Sequence, residues 1–181
     1  MTVARRVLVL GGARSGKSST ALRLAETSRR QKILVATAQA HDGEMAERIE
    51  RHRAERGADW RVVEEPLDLA EAVRSEVRSD QVVVIDCLTL WLSNIVLAGL
   101  DPDDAAMTLS AAIAAAQGPL VLVTNEVGQG IVPATPLGRS FRDLQGRLNQ
   151  KMAAISDAVV LVAAGCPVLI KPAAALDLVL E

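Results

Sequence analysis

The sequence predicts an α/β fold in which a mostly parallel sheet carries helices on both faces. Short apolar runs rich in Val and Ile alternate with longer stretches of helical periodicity, and this alternation indicates βαβ units. Apolar residues make up 50% of the chain and aromatic residues 2%, so the core must consist of the aliphatic residues typical of strands buried on both faces. The 181 residues suffice for a proper core, and we expect residues 1–181 to form a single domain.

The predicted elements follow one another in a regular order along the chain. The apolar runs predict strands at 6–10, 33–37, 82–86, 119–124 and 158–163. The helical periodicity predicts helices at 17–29, 43–56, 67–78, 87–98, 103–117 and 138–155. Two further short strands are expected, at Trp60–Val63 and at Val168–Ile170, the second as a small antiparallel edge strand near the C-terminus.

A glycine-rich segment connects the first predicted strand to the first predicted helix. Residues 11–18 read GGARSGKS, which is the pattern G-x-x-x-x-G-K-[ST] in its required context. Glycines let the backbone wrap closely around a phosphate, and the helix start offers unpaired N–H groups to the same anion. We therefore predict a nucleoside triphosphate site in a P-loop NTPase-like (RecA-like) fold. Its phosphate-binding residues are expected to be Gly11, Gly12, Ala13, Arg14, Ser15, Gly16, Lys17 and Ser18.

Three side chains are candidates for work on the phosphates and on a magnesium ion. Lys17 is expected to reach the β- and γ-phosphates as a catalytic group, and the Ser18 hydroxyl to ligate Mg²⁺. Asp86 closes the predicted strand at 82–86, where a carboxylate can complete the coordination of a hard cation. Because an aspartate at a strand end is common in α/β proteins, its assignment to the metal depends on the glycine-rich segment.

Two other polar features allow two interpretations each. The strand at 119–124 ends in Thr124–Glu126, which could orient a substrate hydroxyl or satisfy backbone groups at a fraying strand end. His52 shares one helical face with Met45, Ile49 and Arg56. It is either a nucleophile toward phosphorus or the polar edge of an amphipathic stripe, and composition and spacing alone favour the stripe.

Charge, cysteine usage and hydropathy exclude several classes of protein. The formal net charge of −2 and the mixture of signs argue against nucleic acid as a partner, because phosphate backbones need a basic face. Cys87 and Cys166 lie in apolar runs and are expected to be buried free thiols. We predict no membrane span, and the N-terminal residues leave no room for a signal peptide, so a cytoplasmic protein is expected.

Beyond the glycine-rich segment, the chain carries further motifs in a characteristic order. They are ATA at 36–38, His52, Trp60 with Glu64, DCLT at 86–89, TNEVGQGIVP at 124–133 and Lys171 in the last hairpin. Taken together, these motifs resemble, nearly end to end, the bifunctional adenosylcobinamide kinase / adenosylcobinamide-phosphate guanylyltransferase family of cobalamin biosynthesis.

The resemblance implies two activities on a small-molecule corrinoid. The first is phosphorylation of adenosylcobinamide with ATP or GTP. In the second, His52 takes GMP from GTP and passes it to adenosylcobinamide phosphate, giving adenosylcobinamide-GDP and pyrophosphate. The resemblance thus reverses the interpretation of His52, and it also implies a homotrimer. The further nucleotide contacts that it implies are Ala36, Thr37, Ala38, Arg53, Ala54, Glu55, Arg56, Glu64 and Asp86.

Two alternative functions also agree with the glycine-rich segment. A P-loop small-molecule kinase would share the phosphate site without nucleotidyl transfer. A nucleotide-switched, partner-binding NTPase would share it as well, but the guanine-reading Asn-Lys-x-Asp motif of regulatory GTPases is absent from the sequence.

Overall fold

A computed structural model describes residues 3–38 and 59–173. The strands are β1 Arg6–Gly11, β2 Gln31–Ala36, β3 Trp60–Glu64, β4 Gln81–Asp86, β5 Leu120–Asn125, β6 Ala158–Ala163 and β7 Cys166–Lys171. The helices are α1 Lys17–Glu26, α2 Leu69–Glu76, α3 Leu88–Leu97, α4 Pro102–Ala115 and α5 Pro136–Ile155. The helix predicted at 43–56 lies outside the described residues.

The seven strands form one sheet in the order β3-β2-β4-β5-β1-β6-β7. All neighbouring pairs are parallel except the last, because β6 and β7 are joined by a tight antiparallel hairpin. The predicted α/β class and the antiparallel edge strand near the C-terminus are therefore confirmed. Parallel strands align their carboxyl ends at one edge, and ligands of open α/β sheets bind outside that edge.

Helices cover both faces of the sheet, and alternation along each strand divides its side chains between them. One face packs under α2, α3, α4 and α5, and its core includes Leu8, Ile33, Val83, Ile85, Leu120 and Leu122. The other face packs under α1, and its core includes Val9, Ala21, Leu34, Val84, Val121 and Val123. Side chains at alternate positions of a strand therefore face α1, and those at the positions between them face the other helices.

The edge strand β7 explains the one wrong prediction about the cysteines. Cys87 is buried and free, as predicted, whereas Cys166 is free but exposed. Cys166 begins β7, and residues 166–170 are all exposed because this strand has a neighbour on one side only. An apolar run therefore does not by itself imply burial at a sheet edge. Over the described ranges, no helix is both long and apolar enough to cross a membrane.

Candidate functional site

The glycine-rich segment lies between the carboxyl end of β1 and the first turn of α1. Lys17 is the first residue of α1, and Gly16 precedes it with a φ of 93°, a left-handed conformation. Arg14 also has a positive φ, of 55°. Successive residues that alternate in this way turn their N–H groups toward a common centre. The two left-handed residues are consistent with the predicted phosphate cradle, and phosphate binding there stays a prediction.

The Lys17 side chain reaches back to the start of the glycine-rich segment. Its residue is only 7% exposed, and its Nζ donates a hydrogen bond to the carbonyl oxygen of Gly12 at 3.0 Å. A buried ammonium group is costly unless anionic or polar groups surround it. A buried cation within the glycine-rich segment is suited to a polyphosphate, which supports the predicted role of Lys17.

The β6–β7 hairpin braces the cradle from below. The N–H of Gly165 donates to the carbonyl oxygen of Ser15 at 2.9 Å. A Cβ at Gly11 would lie 2.4 Å from the carbonyl oxygen of Val162 and 2.6 Å from Ser15 Oγ. Only glycine fits at this position, because the start of the cradle lies directly beside the end of β6.

The Gly11→Ala substitution is expected to lower the free energy of unfolding by about 2 kcal/mol, because its methyl group must displace backbone atoms. Denaturant unfolding measures the change. Gly12→Ala is the matched control, since a Cβ there meets no atom within 4 Å. Equal unfolding free energies for the two variants would contradict the close approach of Val162 to Gly11.

Further polar groups lie near the carboxyl ends of the strands, on the face of the sheet that α1 covers. Asp86 ends β4 and lies opposite Ala36 of β2, and its parity matches that of Val84, which packs under α1. Ser18 is in the first turn of α1. One hydroxyl and one carboxylate form a donor set suited to Mg²⁺, which takes most of its ligands from phosphates and water. The predicted pair therefore fits such an ion.

Thr37 holds the backbone that follows Asp86. Its residue is fully buried, and its hydroxyl donates to the carbonyl oxygen of Cys87 at 2.8 Å and accepts from the Cys87 N–H at 2.9 Å. The side-chain amide of Asn94 in α3 donates to the Thr37 carbonyl oxygen at 2.9 Å. The side chain of Thr37 thus fixes the end of β4, and a nucleotide contact at Thr37 remains a prediction.

The other candidate residues are distributed as follows. Ala36 and Ala38 flank Thr37 at the carboxyl edge, and Glu64 ends β3, paired with Ala36. The catalytic candidate His52 and the contacts predicted at 53–56 lie outside the described residues.

Cys87 directly follows Asp86 at the end of β4, and its environment makes it unreactive. Burial raises the pKa of Cys87 to about 11, and the negative charge of Asp86 adds to the shift. The thiol therefore stays protonated near neutral pH and cannot compete as a nucleophile.

The sequence leaves open the role of the polar end of β5, and the structure gives that end a defined arrangement. Thr124 forms a buried network with Gln145 and Asn149 of α5. Asn125 lies opposite Gly11 in the neighbouring strand β1. The sequence signal was a cluster of polar residues closing an apolar run, but their helix partners are distant in sequence.

A glycine-rich loop between a parallel strand and a helix, with a buried lysine and an acidic strand end beside it, defines a P-loop nucleotide-binding protein. Residues 7–170 match the family described as cobinamide kinase / cobinamide phosphate guanyltransferase. The chain belongs to this family, and it is a bifunctional enzyme of cobalamin biosynthesis, as the motifs predicted.

Curated relatives support the same assignment. The chain is 46% identical to the bifunctional adenosylcobalamin biosynthesis protein CobP of Pseudomonas aeruginosa over 92% of this chain and 97% of that protein. It is 41% identical to the bifunctional adenosylcobalamin biosynthesis protein CobU of Escherichia coli K12 over 91% of this chain and 99% of that protein. Both similarities span nearly the whole of either chain.

Solved structures of lower sequence identity share the fold. An ATPase of the type III secretion system of pathogenic bacteria is 13% identical with a TM-score of 0.52, over 87% of this chain and 50% of that chain. A protein of Pyrococcus horikoshii OT3 is 9% identical with a TM-score of 0.53, over 93% of this chain and 88% of that chain. At these identities the likeness shows the fold alone.

Proposed function

We propose that the cradle formed by residues 11–18 binds GTP or ATP with Mg²⁺ and serves two successive transfers to a corrinoid. The observation that carries this proposal is the buried Lys17, whose ammonium group bonds to the Gly12 carbonyl oxygen of the cradle. The family of the chain supplies the substrate class, since its relatives act in adenosylcobalamin biosynthesis.

In the first transfer, a hydroxyl of adenosylcobinamide attacks the γ-phosphorus of the nucleotide. The new P–O bond forms as the bond to the β-phosphate breaks, the nucleoside diphosphate leaves, and the hydroxyl proton passes to solvent. The cradle N–H groups and Lys17 stabilise the charge on the phosphate oxygens. Ser18 and Asp86 would hold Mg²⁺, which when bound neutralises phosphate charge.

In the second transfer, His52 is the proposed nucleophile. An imidazole nitrogen attacks the α-phosphorus of GTP, a P–N bond forms, and pyrophosphate leaves. A phosphate oxygen of adenosylcobinamide phosphate then displaces the imidazole, which yields adenosylcobinamide-GDP and free enzyme. Covalent catalysis of this kind divides one difficult transfer into two easier ones. The resemblance of the sequence motif around His52 supports this role.

The remaining nucleotide contacts are proposals of the same origin. They are Ala36, Thr37, Ala38, Arg53, Ala54, Glu55, Arg56 and Glu64. A homotrimer and a cytoplasmic location are proposed on the resemblance and on the sequence, respectively.

Labelled nucleotides test the proposed function. With GTP labelled at the α-phosphorus, we expect label to remain on the denatured polypeptide, to be lost in acid and to survive alkali, as a phosphoramidate does. With γ-labelled ATP or GTP, we expect label on adenosylcobinamide. Transfer of γ-label without a protein adduct would instead indicate a plain kinase. Nucleotide hydrolysis without corrinoid dependence would indicate a nucleotide-switched NTPase.

A further inference from the structure

The end of β5 extends past its neighbour β4. The two strands pair only as far as Asp86 and Val123, whereas β5 continues to Asn125 alongside Gly11 of β1. The N–H of Glu126 still donates to the Gly11 carbonyl oxygen, at 3.0 Å. On the β4 side, the last residue of β5 therefore has no strand to pair with.

Side chains from two helices take the place of the missing strand. The N–H of Asn125 donates to Thr89 Oγ1 of α3 at 2.8 Å. Asn149 of α5 donates from its Nδ2 to the Asn125 carbonyl oxygen at 3.0 Å. Both backbone groups of Asn125 are thus held by side chains of separate helices, and this arrangement fixes the direction of its own side chain.

A buried network holds Asn149 in place, and Thr89 Oγ1 adjoins it at 3.5 Å from Thr124 Oγ1. Thr124 Oγ1 donates to Asn149 Oδ1 at 2.8 Å, and Gln145 Nε2 donates to both of those oxygens, at 2.9 and 2.8 Å. Thr124 and Gln145 are fully buried. Hydrogen-bonded groups in a low dielectric are strongly coupled and rigid. The network therefore holds the Asn125 peptide more firmly than a fraying strand end would.

Strand alternation directs the Asn125 side chain to the phosphate site. Val121 and Val123 of β5 pack under α1, so Asn125 points to the same face, as does Asp86 of β4. Thr124 points the opposite way, into its network with α5. Over residues 3–38 and 59–173, the carboxamide of Asn125 makes no hydrogen bond. A half-buried amide without such a bond, on a rigid strand end next to Gly11, is positioned to meet a ligand.

We propose that Asn125 is a further catalytic residue of the phosphoryl transfer, whose side-chain N–H donates to a non-bridging oxygen of the γ-phosphoryl group. Thr89, Thr124, Gln145 and Asn149 are its positioning residues. This proposal rests on the proposed function, because it requires a triphosphate in the cradle. Asn125 makes and breaks no covalent bond. It stabilises charge as the acceptor oxygen bonds to the γ-phosphorus and the nucleoside diphosphate departs.

This role predicts a division between the two transfers. The γ-phosphorus reacts only in the phosphorylation of the corrinoid, whereas guanylylation of the protein proceeds at the α-phosphorus. An interaction made in one transition state lowers kcat for that step alone when it is removed. Loss of the Asn125 donor should therefore affect the kinase step far more than formation of the protein–GMP adduct.

The test compares Asn125→Ala and the near-isosteric Asn125→Asp with wild type. Both should lower kcat for corrinoid phosphorylation by about 10²-fold, the effect of losing one preorganised donor. The KM for the corrinoid and the yield of protein–GMP adduct should stay within about threefold of wild type. The melting temperature should stay within a few degrees of wild type. Gln117→Ala removes an exposed carboxamide near the amino end of β5 and should change none of these quantities.

Two results would overturn the role of Asn125. One is unchanged phosphorylation in both variants. The other is an equal loss in both transfers together with a lowered melting temperature, which would make Asn125 a structural residue only. If wild type itself phosphorylated no corrinoid, the proposed function would fail, and this outcome is distinct from an active wild type with equally active variants.

Discussion

Replacement of Lys17 with alanine is expected to reduce kcat/KM for both transfers by about 10³-fold, the scale of removing a preorganised positive donor from a phosphate site. The ammonium group lies against the cradle backbone, with its Nζ 3.0 Å from the Gly12 carbonyl oxygen. No other lysine belongs to the cradle segment 11–18. Initial rates with γ-labelled nucleotide and the yield of protein–GMP adduct measure the two losses.

The control for this substitution is Lys32→Ala. Lys32 is the second residue of β2 and lies at the amino ends of the parallel strands. The cradle lies at their carboxyl ends, so the variant should retain both activities. Folding of the Lys17 variant is checked by its melting temperature. Full kinase turnover in Lys17→Ala would remove the cradle from the mechanism. A loss confined to phosphorylation would show that the two transfers use different poses of the nucleotide.

The strands were predictable because they are buried on both faces. For the five main strands, the prediction differs from the structure by at most two residues at any end. Central parallel strands appear in sequence as continuous aliphatic runs, so their pattern needs no knowledge of neighbours. The edge strand β7 carries the same kind of run, Cys166–Lys171, but its exposure depends on what lies beside it.

The starts of two helices differ from the prediction by one or two residues, although the sequence carries a signal for them. Helices α4 and α5 begin at Pro102 and Pro136, not at the predicted 103 and 138. In each case, the residue before the proline is the N-cap: Asp101 accepts two backbone N–H groups, and Thr135 accepts one. Proline at the first helical position after such a cap is a recognised start signal. The apolar periodicity alone places these starts one and two residues too late.

The phosphate cradle and the support of Asn125 differ in how much of each a sequence can reveal. The cradle is a continuous segment of eight residues, 11–18, so its residue types and spacing identify it directly. The support joins Thr89, Thr124, Gln145 and Asn149 from three separate elements. Which polar residues meet depends on how α3 and α5 pack on β5, and that packing has no local signature.

Replacement of His52 with asparagine is expected to abolish the protein–GMP adduct, with a loss of about 10³-fold or more, because asparagine has no nitrogen basic enough to attack phosphorus. Phosphorylation of adenosylcobinamide should stay within about threefold of wild type, since no covalent step through the imidazole is required there. The adduct is measured as α-label retained after denaturation, and the phosphorylation as γ-label on the corrinoid.

The chain provides a matched control for this variant, because it contains only two histidines. His41→Asn makes the same chemical change eleven residues earlier and should leave the adduct intact. Equal label on wild type and His52→Asn would remove His52 from the mechanism, and loss of label in His41→Asn alone would transfer the role to His41. Since Lys17→Ala should impair both transfers and His52→Asn only one, the pair separates what the phosphate cradle contributes from what the nucleophile contributes. Loss of phosphorylation as well as of the adduct in His52→Asn would contradict this separation.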